Sequence, residues 1–508
     1  MDDTAAILGC ILLGILVFAL LFNTWRYRAL KQIPGIEPSY PLIGNAFLFT
    51  GANAYKRCFR NENRMTKIWL GPIPVINVQH PELIQKVLTE CLDKPFAYDY
   101  LELGAGLLSG RDGRIWKEHR KTLSPLFNTR ILNSFIPIFE RATGEVLLQL
   151  DKVSDGRDVD LMEYISQCSA HMVHGTMVNI DRQPDELYRL LITNLEIILD
   201  SLGKRILNGL YALKTFYKMS TVYRNEWRSR RLCYATVNDV IREMRMNILN
   251  RPKSAPGQVS TMETMKSKAF VERLLTIQHK GRGFTDEEIV NHAYTMLVAG
   301  YETSALQLTN ICLMLAMHQE IQEKVFQEIK TTFPTLEAPI TPEALKALPF
   351  LDMVIHETMR IYPVAPLIAR QSAHPITLDG VCIPKGTIFT VNITALHRRK
   401  EIWGEDFLRF EPENFAPEAV SARHPFAFIP FSAGPRVCIG NRYAMISLRV
   451  FLVRLLQQYR LSTKLTRKDL KFKFQVTQKL HMPCAVQVEK RNVCTGIEFG
   501  TRGAFAAA

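Results

Sequence analysis

The chain has 508 residues, of which 47% are hydrophobic and 22% are charged, and its formal net charge at pH 7 is +14. This composition is typical of a globular protein with a large core. Ten cysteines without a CxxC pair argue against a zinc knuckle or a disulfide framework and favour a reducing compartment. The positive charge suits anionic lipid and an acidic partner, whereas no basic run with interleaved aromatics indicates nucleic acid.

The amino terminus has the pattern of a membrane anchor. Residues 5–22 carry no charge, and as a helix they would be about 27 Å long, close to the apolar thickness of the endoplasmic reticulum bilayer. Arg26, Arg28 and Lys31 follow the run, so the positive-inside rule places the rest of the chain in the cytosol. A cleaved signal peptide would carry its positive charge before the run. The sequence therefore predicts an anchor in 1–30 with a transmembrane helix at about 5–22.

Strand-like runs and a helix come next. Residues 67–78 are rich in β-branched residues around a Gly-Pro pair, which predicts short strands. The glycine-rich stretch 104–110 is similar to a dinucleotide-binding loop, but no clean strand precedes it, so a turn is predicted. In the following predicted helix, Trp116 and Arg120 are four residues apart and therefore share a face.

Helix-period segments run over residues 131–250 and 286–361. Between them, residues 251–268 are polar and contain two prolines, which predicts an exposed loop. The second segment begins at a capping box, because Thr285 stands three residues before Glu288.

Two groups of polar residues lie within the second segment. Residues 299–303 read AGYET, in which Glu302 and Thr303 offer a carboxyl and a hydroxyl that can hold or relay a proton. Glu357 and Arg360 are three residues apart, on one face of an apolar helix. A buried ion pair there must be fully satisfied.

The remaining sequence completes a mainly α fold with a small β-rich part. Residues 375–393 contain apolar runs on either side of Asp379-Gly380, which predicts a hairpin turn. A single domain is predicted to span residues 31–490. Residues 491–508 are predicted to form a disordered tail.

Near the carboxyl end, the stretch FSAGPRVCIG has one cysteine between two glycines, directly before a helical pattern. A thiolate near a helix amino terminus has a lowered pKa, because peptide N–H groups point toward it. Glycines let the backbone approach closely, and nearby amides can tune the sulfur. Arg436 carries a fixed charge that suits a carboxylate.

This stretch resembles the haem-binding loop of the cytochrome P-450 family. The matching residues of F-x-x-G-x-R-x-C-x-G are Phe431, Gly434, Arg436, Cys438 and Gly440. The resemblance implies the cytochrome P-450 fold, with Cys438 as the axial thiolate ligand of the iron of haem b.

Further motifs carry the same resemblance, in family order over about residues 30–490. AGYET is similar to the oxygen-activation sequence, which implies catalytic roles for Thr303 and Glu302. The pair Trp116 and Arg120 resembles a propionate-binding pair. Arg370 matches another propionate-binding arginine in many relatives.

The Glu357–Arg360 pair is similar to the family's E-x-x-R motif, which supports the loop that carries the cysteine. The third partner is normally the arginine of a Pro-Glu-Arg-Phe turn, but here Asn414 occupies that position. Asn414 can donate a hydrogen bond but carries no charge. Arg409 is the candidate for restoring the charge.

The chain is loosely similar to the fatty-acid ω-hydroxylase branch and its insect relatives. Many members of that branch have a glutamate that bonds covalently to haem, where this chain has Ala299. The haem is therefore expected to be held non-covalently apart from the Cys438 thiolate–iron bond.

The resemblance implies a monooxygenase in the endoplasmic reticulum membrane, a microsomal single-pass protein with a cytosolic catalytic domain. Electrons would come from NADPH–cytochrome P-450 reductase, with cytochrome b5 as a second partner, and Lys117, Lys121 and Arg442 are candidate contacts. The substrate would be lipophilic: a steroid-like hormone, a fatty acid or a xenobiotic. The predicted pocket residues are Leu297, Val298, Val364, Ala365 and Leu367.

Two alternatives stay open. The first is a haem-thiolate isomerase or dehydratase that acts on a peroxide substrate without dioxygen or a reductase. Such enzymes have less need of the proton relay that Thr303 and Glu302 offer. The second is a non-catalytic haem-thiolate sensor, which the missing charge at Asn414 keeps open.

Overall fold

The structure is a computed structural model of the chain. It describes residues 14, 27–40, 44–45, 63–71, 73–178, 186–250, 269–277, 281, 283–474 and 476–491. The predicted transmembrane helix at 5–22 (residue 14 apart), the loop at 251–268 and the tail beyond residue 491 lie outside these ranges. In the described part of the chain, no helix is both long and apolar enough to cross a membrane.

Helices make up most of the described chain, as the sequence predicts. In the first half they are α1 (Pro81–Glu90), α2 (Gly113–Leu123), α3 (Thr129–Asn133), α4 (Ile136–Leu150), α5 (Leu161–Val178), α6 (Glu186–Leu207), α7 (Lys214–Met219) and α8 (Thr221–Leu249). In the second half they are α9 (Phe270–Thr276), α10 (Asp286–Met317), α11 (Gln319–Thr332), α12 (Pro342–Lys346), α13 (Pro349–Ile361), α14 (Ile393–Leu396), α15 (Lys400–Trp403), α16 (Pro417–Ser421) and α17 (Asn441–Gln458).

The β part is small and divided among four sheets. The strands are β1 (Met65–Leu70), β2 (Ile73–Val78), β3 (Asp155–Asp160), β4 (Leu367–Gln371), β5 (Ile376–Leu378), β6 (Val381–Ile383), β7 (Ile388–Asn392), β8 (Tyr459–Ser462), β9 (Phe472–Phe474), β10 (Gln478–Leu480) and β11 (Ala485–Lys490). The largest sheet has the order β1-β2-β7-β4. Its β2–β7 pair is parallel, with Val75 opposite Ile388, and its other pairs are antiparallel.

Several local predictions are confirmed. Asp379 and Gly380 both have positive φ, 43° and 79°, as a two-residue turn between β5 and β6 requires. The capping box opens α10, with the Glu288 N–H donating to Thr285 Oγ1 at 3.2 Å. The stretch 104–110 forms turns.

The strand β3 contradicts a prediction. β3 interrupts the segment 131–250 that periodicity predicts to be helical, and its sequence DGRDVD has no apolar alternation. It pairs with β11, where Val159 lies opposite Val486. Backbone pairing with a strand more than 300 residues away therefore decides its conformation.

The long helix α10 runs through the middle of the core. It packs against α5, α13 and α17, so residues from three distant parts of the chain meet along it. Its apolar side chains contribute to two core clusters, one with α4, α5 and α17 and one with α6, α8 and α9. The hydrophobic contacts fix α10 relative to the loop before α17.

Candidate active site

The loop that carries Cys438 has a tightly fixed backbone. The Cys438 N–H donates to the Phe431 carbonyl oxygen at 2.9 Å. Gly434 has a φ of 70°, and a Cβ atom at this position would lie 2.7 Å from the Leu88 carbonyl oxygen. Since only glycine meets both constraints at low cost, Gly434 sets the path of the loop. Gly440 is the N-cap residue of α17.

The Cys438 thiol is accessible, yet protein surrounds it closely enough to change its ionisation. Desolvation raises the pKa of the thiol above its ordinary value, while the Gly440 N–H and the charge of Arg120 oppose that change. The prediction of a lowered pKa from the helix terminus is therefore wrong for the protein alone. A coordinating metal ion deprotonates such a thiol outright.

Two buried arginines near the loop keep donors without partners. Arg436 donates from Nη2 to the Gly110 carbonyl oxygen at 2.9 Å, and its guanidinium carbon lies 4.4 Å from the Trp116 ring centroid. Within the described residues, its Nε and Nη1 have no hydrogen-bond partner. Buried donors of this kind are costly when left unpaired.

Arg370 shows the same feature from the other side of the loop. Its Nη2 lies 3.4 Å from Ser432 Oγ and its Nη1 donates to the Ala369 carbonyl oxygen at 2.9 Å. Its buried Nε lacks an acceptor in the part of the chain that the structure describes. Burial lowers the pKa of the Arg370 guanidinium, because desolvation disfavours a charge that has no anion beside it.

The predicted propionate pair lies on α2, as expected. Trp116 is buried under Arg436, and Arg120, one turn further on, is partly buried. Burial lowers the pKa of Arg120, while its attraction to Cys438 raises it. The three residues predicted to bind propionates, Trp116, Arg120 and Arg370, thus lie near the cysteine loop together with Arg436. They fit a ligand that offers a metal to the sulfur and carboxylates to the guanidinium groups.

The middle of α10 is open although both of its flanks are buried. Residues Ile289 to Leu297 and Ser304 to Ala316 are buried, whereas 298–300 and 302–303 are partly or fully accessible. Ile439, next to Cys438, packs against the same apolar cluster as Val298.

Thr303 and Gly300 have different roles within this stretch. The Thr303 hydroxyl donates to the Ala299 carbonyl oxygen, one turn back in the same helix, at 2.6 Å. A Cβ atom on Gly300 would lie 3.1 Å from Val173 Cγ2 of α5. Gly300 therefore allows close contact between α5 and α10.

Glu302 lines a polar cavity of about 500 Å³ together with residues of α6, α8 and β10. The Thr477 hydroxyl donates to Glu302 Oε1 at 3.2 Å. Burial raises the pKa of Glu302 to about 7, against the opposing effects of Lys479 and Thr477. A carboxyl group with this pKa can both accept and release a proton near neutral pH.

The predicted Glu357–Arg360 pair is buried and bidentate. Arg360 Nε and Nη2 each lie 2.7 Å from a carboxylate oxygen of Glu357. Arg360 Nη1 also donates to the carbonyl oxygens of His397 and Phe407, at 3.1 and 2.6 Å. The pair therefore joins α13 to the segment that leads toward the cysteine loop.

At the third position of this network the hydrogen bond predicted for Asn414 is confirmed, but the prediction that Arg409 restores the charge is wrong. Asn414 Nδ2 donates to Glu357 Oε1 at 3.2 Å. Arg409 is exposed and contributes its backbone carbonyl oxygen to Arg360. The charge comes from Arg423, which donates to the Asn414 carbonyl oxygen, lies over the Trp403 ring and is attracted to Glu357.

Sequence reasoning missed three residues of the site: Lys94, Arg423 and Thr477. Arg423 lies nine residues after Asn414 and could have been found by considering every nearby arginine as a replacement for the missing charge. Lys94 and Thr477 belong to no motif. Their positions depend on contacts with residues far away in the chain.

Comparisons with known proteins identify the family of the chain. The cytochrome P-450 family matches residues 34–485. Cytochrome P-450 4c21 of Blattella germanica is 31% identical over 491 residues, which cover 92% of this chain and 95% of that protein. Probable cytochrome P-450 313a4 of Drosophila melanogaster is 31% identical over 502 residues, with 95% and 99% covered. Cytochrome P-450 4V2 of Homo sapiens is 29% identical over 489 residues, with 92% and 91% covered. The chain belongs to the cytochrome P-450 family of monooxygenases, which bind haem through a cysteine thiolate.

Proposed function

We propose that this monooxygenase inserts one atom of dioxygen into a lipophilic substrate and that Cys438 would bind the iron of haem b through its thiolate. When bound, the haem supplies the iron at which oxygen is activated. The observation that carries the proposal is the pair of buried arginines, Arg370 and Arg436, with unpaired nitrogens beside an accessible cysteine. A metal and two carboxylates on one ligand would satisfy all three residues. Ala299 supports haem that is bound without a further covalent bond.

The chain's own residues hold this ligand and tune the sulfur. Gly434 and the Phe431 carbonyl oxygen fix the loop, and the Gly440 N–H interacts with the sulfur of Cys438. Such contacts reduce the negative charge that a thiolate donates to a metal. Arg120 adds a positive charge on the same side. Glu357 and Arg360 act at a distance, because they hold the backbone that leads into the loop.

Proton delivery is assigned to Thr303 and Glu302. Glu302 faces the polar cavity and has a pKa of about 7, so it can take a proton from water in the cavity. Thr303 is the next residue of α10, and it is exposed. This pair supports a reaction that consumes protons, and it disfavours the isomerase or dehydratase alternative, which needs no such relay.

The residues predicted to line the substrate pocket are apolar. Leu297 is buried, and the other four are partly accessible: Val298, Val364, Ala365 and Leu367. Such a lining favours a lipophilic substrate. Steroid-like hormones, fatty acids and xenobiotics all meet this condition.

Electrons are proposed to enter from NADPH–cytochrome P-450 reductase, with cytochrome b5 as a second donor. Lys117, Lys121 and Arg442 are all exposed. Phe431 and Arg442 also line a cavity of about 440 Å³ behind the cysteine loop. A basic surface at this position would steer an acidic partner.

The chain is proposed to be a single-pass protein of the endoplasmic reticulum, with an anchor in residues 1–30, a cytosolic catalytic domain over residues 31–490 and a tail at residues 491–508. The support is the uncharged run at 5–22 and the basic residues after it. Membrane lipid would then be a permanent partner.

The test of the reaction uses the purified, folded protein with the reductase. The reduced protein with carbon monoxide should absorb at the wavelength typical of thiolate ligation, and absorption typical of imidazole ligation would refute Cys438 as the ligand.

Thr303→Ala should uncouple NADPH oxidation from product formation. Unchanged coupling would contradict the proton-delivery assignment, and an absence of reductase-dependent turnover in a broad lipophilic screen would favour the sensor alternative.

A further inference from the structure

The β9–β10 hairpin is fastened to α6 by two ion pairs. Lys473 and Lys479 are direct partners in the antiparallel register of the hairpin, so their side chains share one of its faces. Lys479 Nζ lies 3.0 Å from Glu196 Oε1, and Lys473 pairs with Asp200. The two carboxylates are four residues apart and therefore share one face of α6. The spacing of the lysines thus matches the spacing of the carboxylates.

The same hairpin reaches the carboxyl group of Glu302. Thr477, in the turn of the hairpin, donates from its hydroxyl to Glu302 Oε1 at 3.2 Å. Lys479 and Glu196 line the polar cavity that Glu302 also lines. Within the described residues, the lining of this cavity includes Lys479 but not Lys473. The two lysines therefore attach the hairpin in the same way, but only one of them stands beside the carboxyl group.

The charges around Glu302 act on it with opposite signs. The positive charge of Lys479 and the hydrogen bond from Thr477 stabilise the ionised carboxylate, whereas the negative charge of Glu196 destabilises it. In α6, Asp200 pairs with Lys204 at 2.6 Å on the wall of the same cavity. The cavity residues of α8 are uncharged: Thr221, Val222 and Asn225.

The helix α5 packs against this stretch of α10 from another side. Ser169 of α5 donates from its hydroxyl to the Tyr301 carbonyl oxygen at 2.7 Å. The Tyr301 phenol stays neutral because burial raises its pKa. His174 of α5 also stays neutral, since burial lowers its pKa to about 4, and His171 pairs with Glu145 of α4. The charges that act on Glu302 are therefore those of Lys479 and Glu196.

We propose that the β9–β10 hairpin positions the proton-delivery group: Thr477 orients the Glu302 carboxyl, and Lys479 stabilises its ionised form. This inference rests on the proposed role of Glu302 in proton delivery. Thr477 and Lys479 act through Glu302 and are therefore positioning residues. Glu196 holds Lys479 in place and opposes its effect. The pH range of coupled turnover is then set by the sequences of this hairpin and of α6.

The first test measures product formed per NADPH oxidised by the full-length protein with saturating reductase, over a series of pH values. Lys479→Met should raise the midpoint of the pH profile by about 0.5–1 pH unit, because an attractive charge is lost. Glu196→Gln should lower the midpoint, because a repulsive charge is lost. Both variants break the same ion pair, so a loosened hairpin would shift the two profiles in the same direction.

Lys473→Met is the matched control, because it removes the other ion pair between the hairpin and α6. It should keep the midpoint of the unmodified protein. An unshifted midpoint in Lys479→Met, or an equal shift in Lys473→Met, would overturn the proposal.

Infrared spectroscopy titrates the carboxyl group directly, without substrate or reductase. The band of Glu302 is the one that disappears when Glu302→Gln is added to each protein. It should titrate at higher pH in Thr477→Val than in the unmodified protein, and Thr477→Ser, which keeps the hydroxyl, should restore the original value. Titration at one pH in all three proteins would overturn the role of Thr477. If the band shifts as expected but coupled turnover does not depend on pH, the proposed role of Glu302 fails, which is a different result.

Discussion

Replacing Glu302 with glutamine should remove most of the pH dependence of coupled turnover. With a pKa of about 7, the carboxyl group is about 90% protonated at about pH 6 and about 10% protonated at about pH 8. If the protonated form delivers the proton, the rate of product formation should fall about ninefold over this range. Glutamine has the same shape but cannot exchange a proton, so the rate in Glu302→Gln should be low and nearly flat.

The assay measures product formed per NADPH oxidised, with saturating reductase, at several pH values. Glu287→Gln is the matched control, because Glu287 lies exposed in the first turn of the same helix, and it should keep the slope of the unmodified protein. A Glu302→Gln protein that retains the ninefold fall would refute the reasoning. The titrating group would then lie elsewhere.

The same substitution has a second, independent consequence for stability. Folding raises the pKa of Glu302 from 4.5 to about 7, so its contribution to stability is full below about pH 4.5 and is lost as the pH rises to about 7. In Glu302→Gln, the contribution of residue 302 to stability does not fall with rising pH. Thermal unfolding should therefore favour the variant more at about pH 8 than at about pH 4, and an equal difference at both pH values would contradict the raised pKa.

Two further predictions concern the cysteine loop and its support. Arg423→Gln should lower the free energy of unfolding by about 1–3 kcal/mol, because it removes a positive charge near the buried Glu357. Arg409→Gln, the control, should change the free energy of unfolding little. Equal effects of the two substitutions in chemical denaturation would contradict the role assigned to Arg423. Gly434→Ala should lower the free energy of unfolding by about 2 kcal/mol or more, because alanine is strained in the left-handed backbone conformation and its Cβ would meet Leu88; it should also reduce haem content. The control Gly144→Ala, at an open helical position, should raise the free energy of unfolding slightly.

The sequence predicts well those features whose cause is local. The capping box of α10, the turn at Asp379-Gly380 and the burial of the Glu357–Arg360 pair each follow from a few neighbouring residues. The further hydrogen bonds of that pair, to His397 and Phe407, depend on a later segment of the chain. The cysteine motif belongs to this class as well, because Gly434 and the start of α17 lie within a few residues of Cys438.

Features that depend on the folded surroundings could not be predicted. β3 is a strand because β11 pairs with it, and Arg423 replaces the missing charge because a loop returns it to Glu357. The pKa of Cys438 is raised, since burial outweighs the helix terminus that sequence reasoning considered. Lys94 is the clearest case, because its amino group donates to the Leu108 carbonyl oxygen and is affected by the charges of Arg370 and Arg436.

The two groups of buried charges in this protein are balanced in different ways. Arg360 has a complete set of partners within the chain, namely Glu357 and several carbonyl oxygens, and the pair persists whether or not a ligand is bound. Arg370 and Arg436 have hydrogen-bond partners among the described residues for only some of their nitrogens. Removing one partner of a buried ion pair lowers the stability of a protein by about 3–5 kcal/mol. A site whose buried arginines lack such partners therefore lowers the stability of the fold until an anionic ligand binds. The first group therefore serves the architecture of the loop, and the second makes folding and retention of the ligand depend on each other.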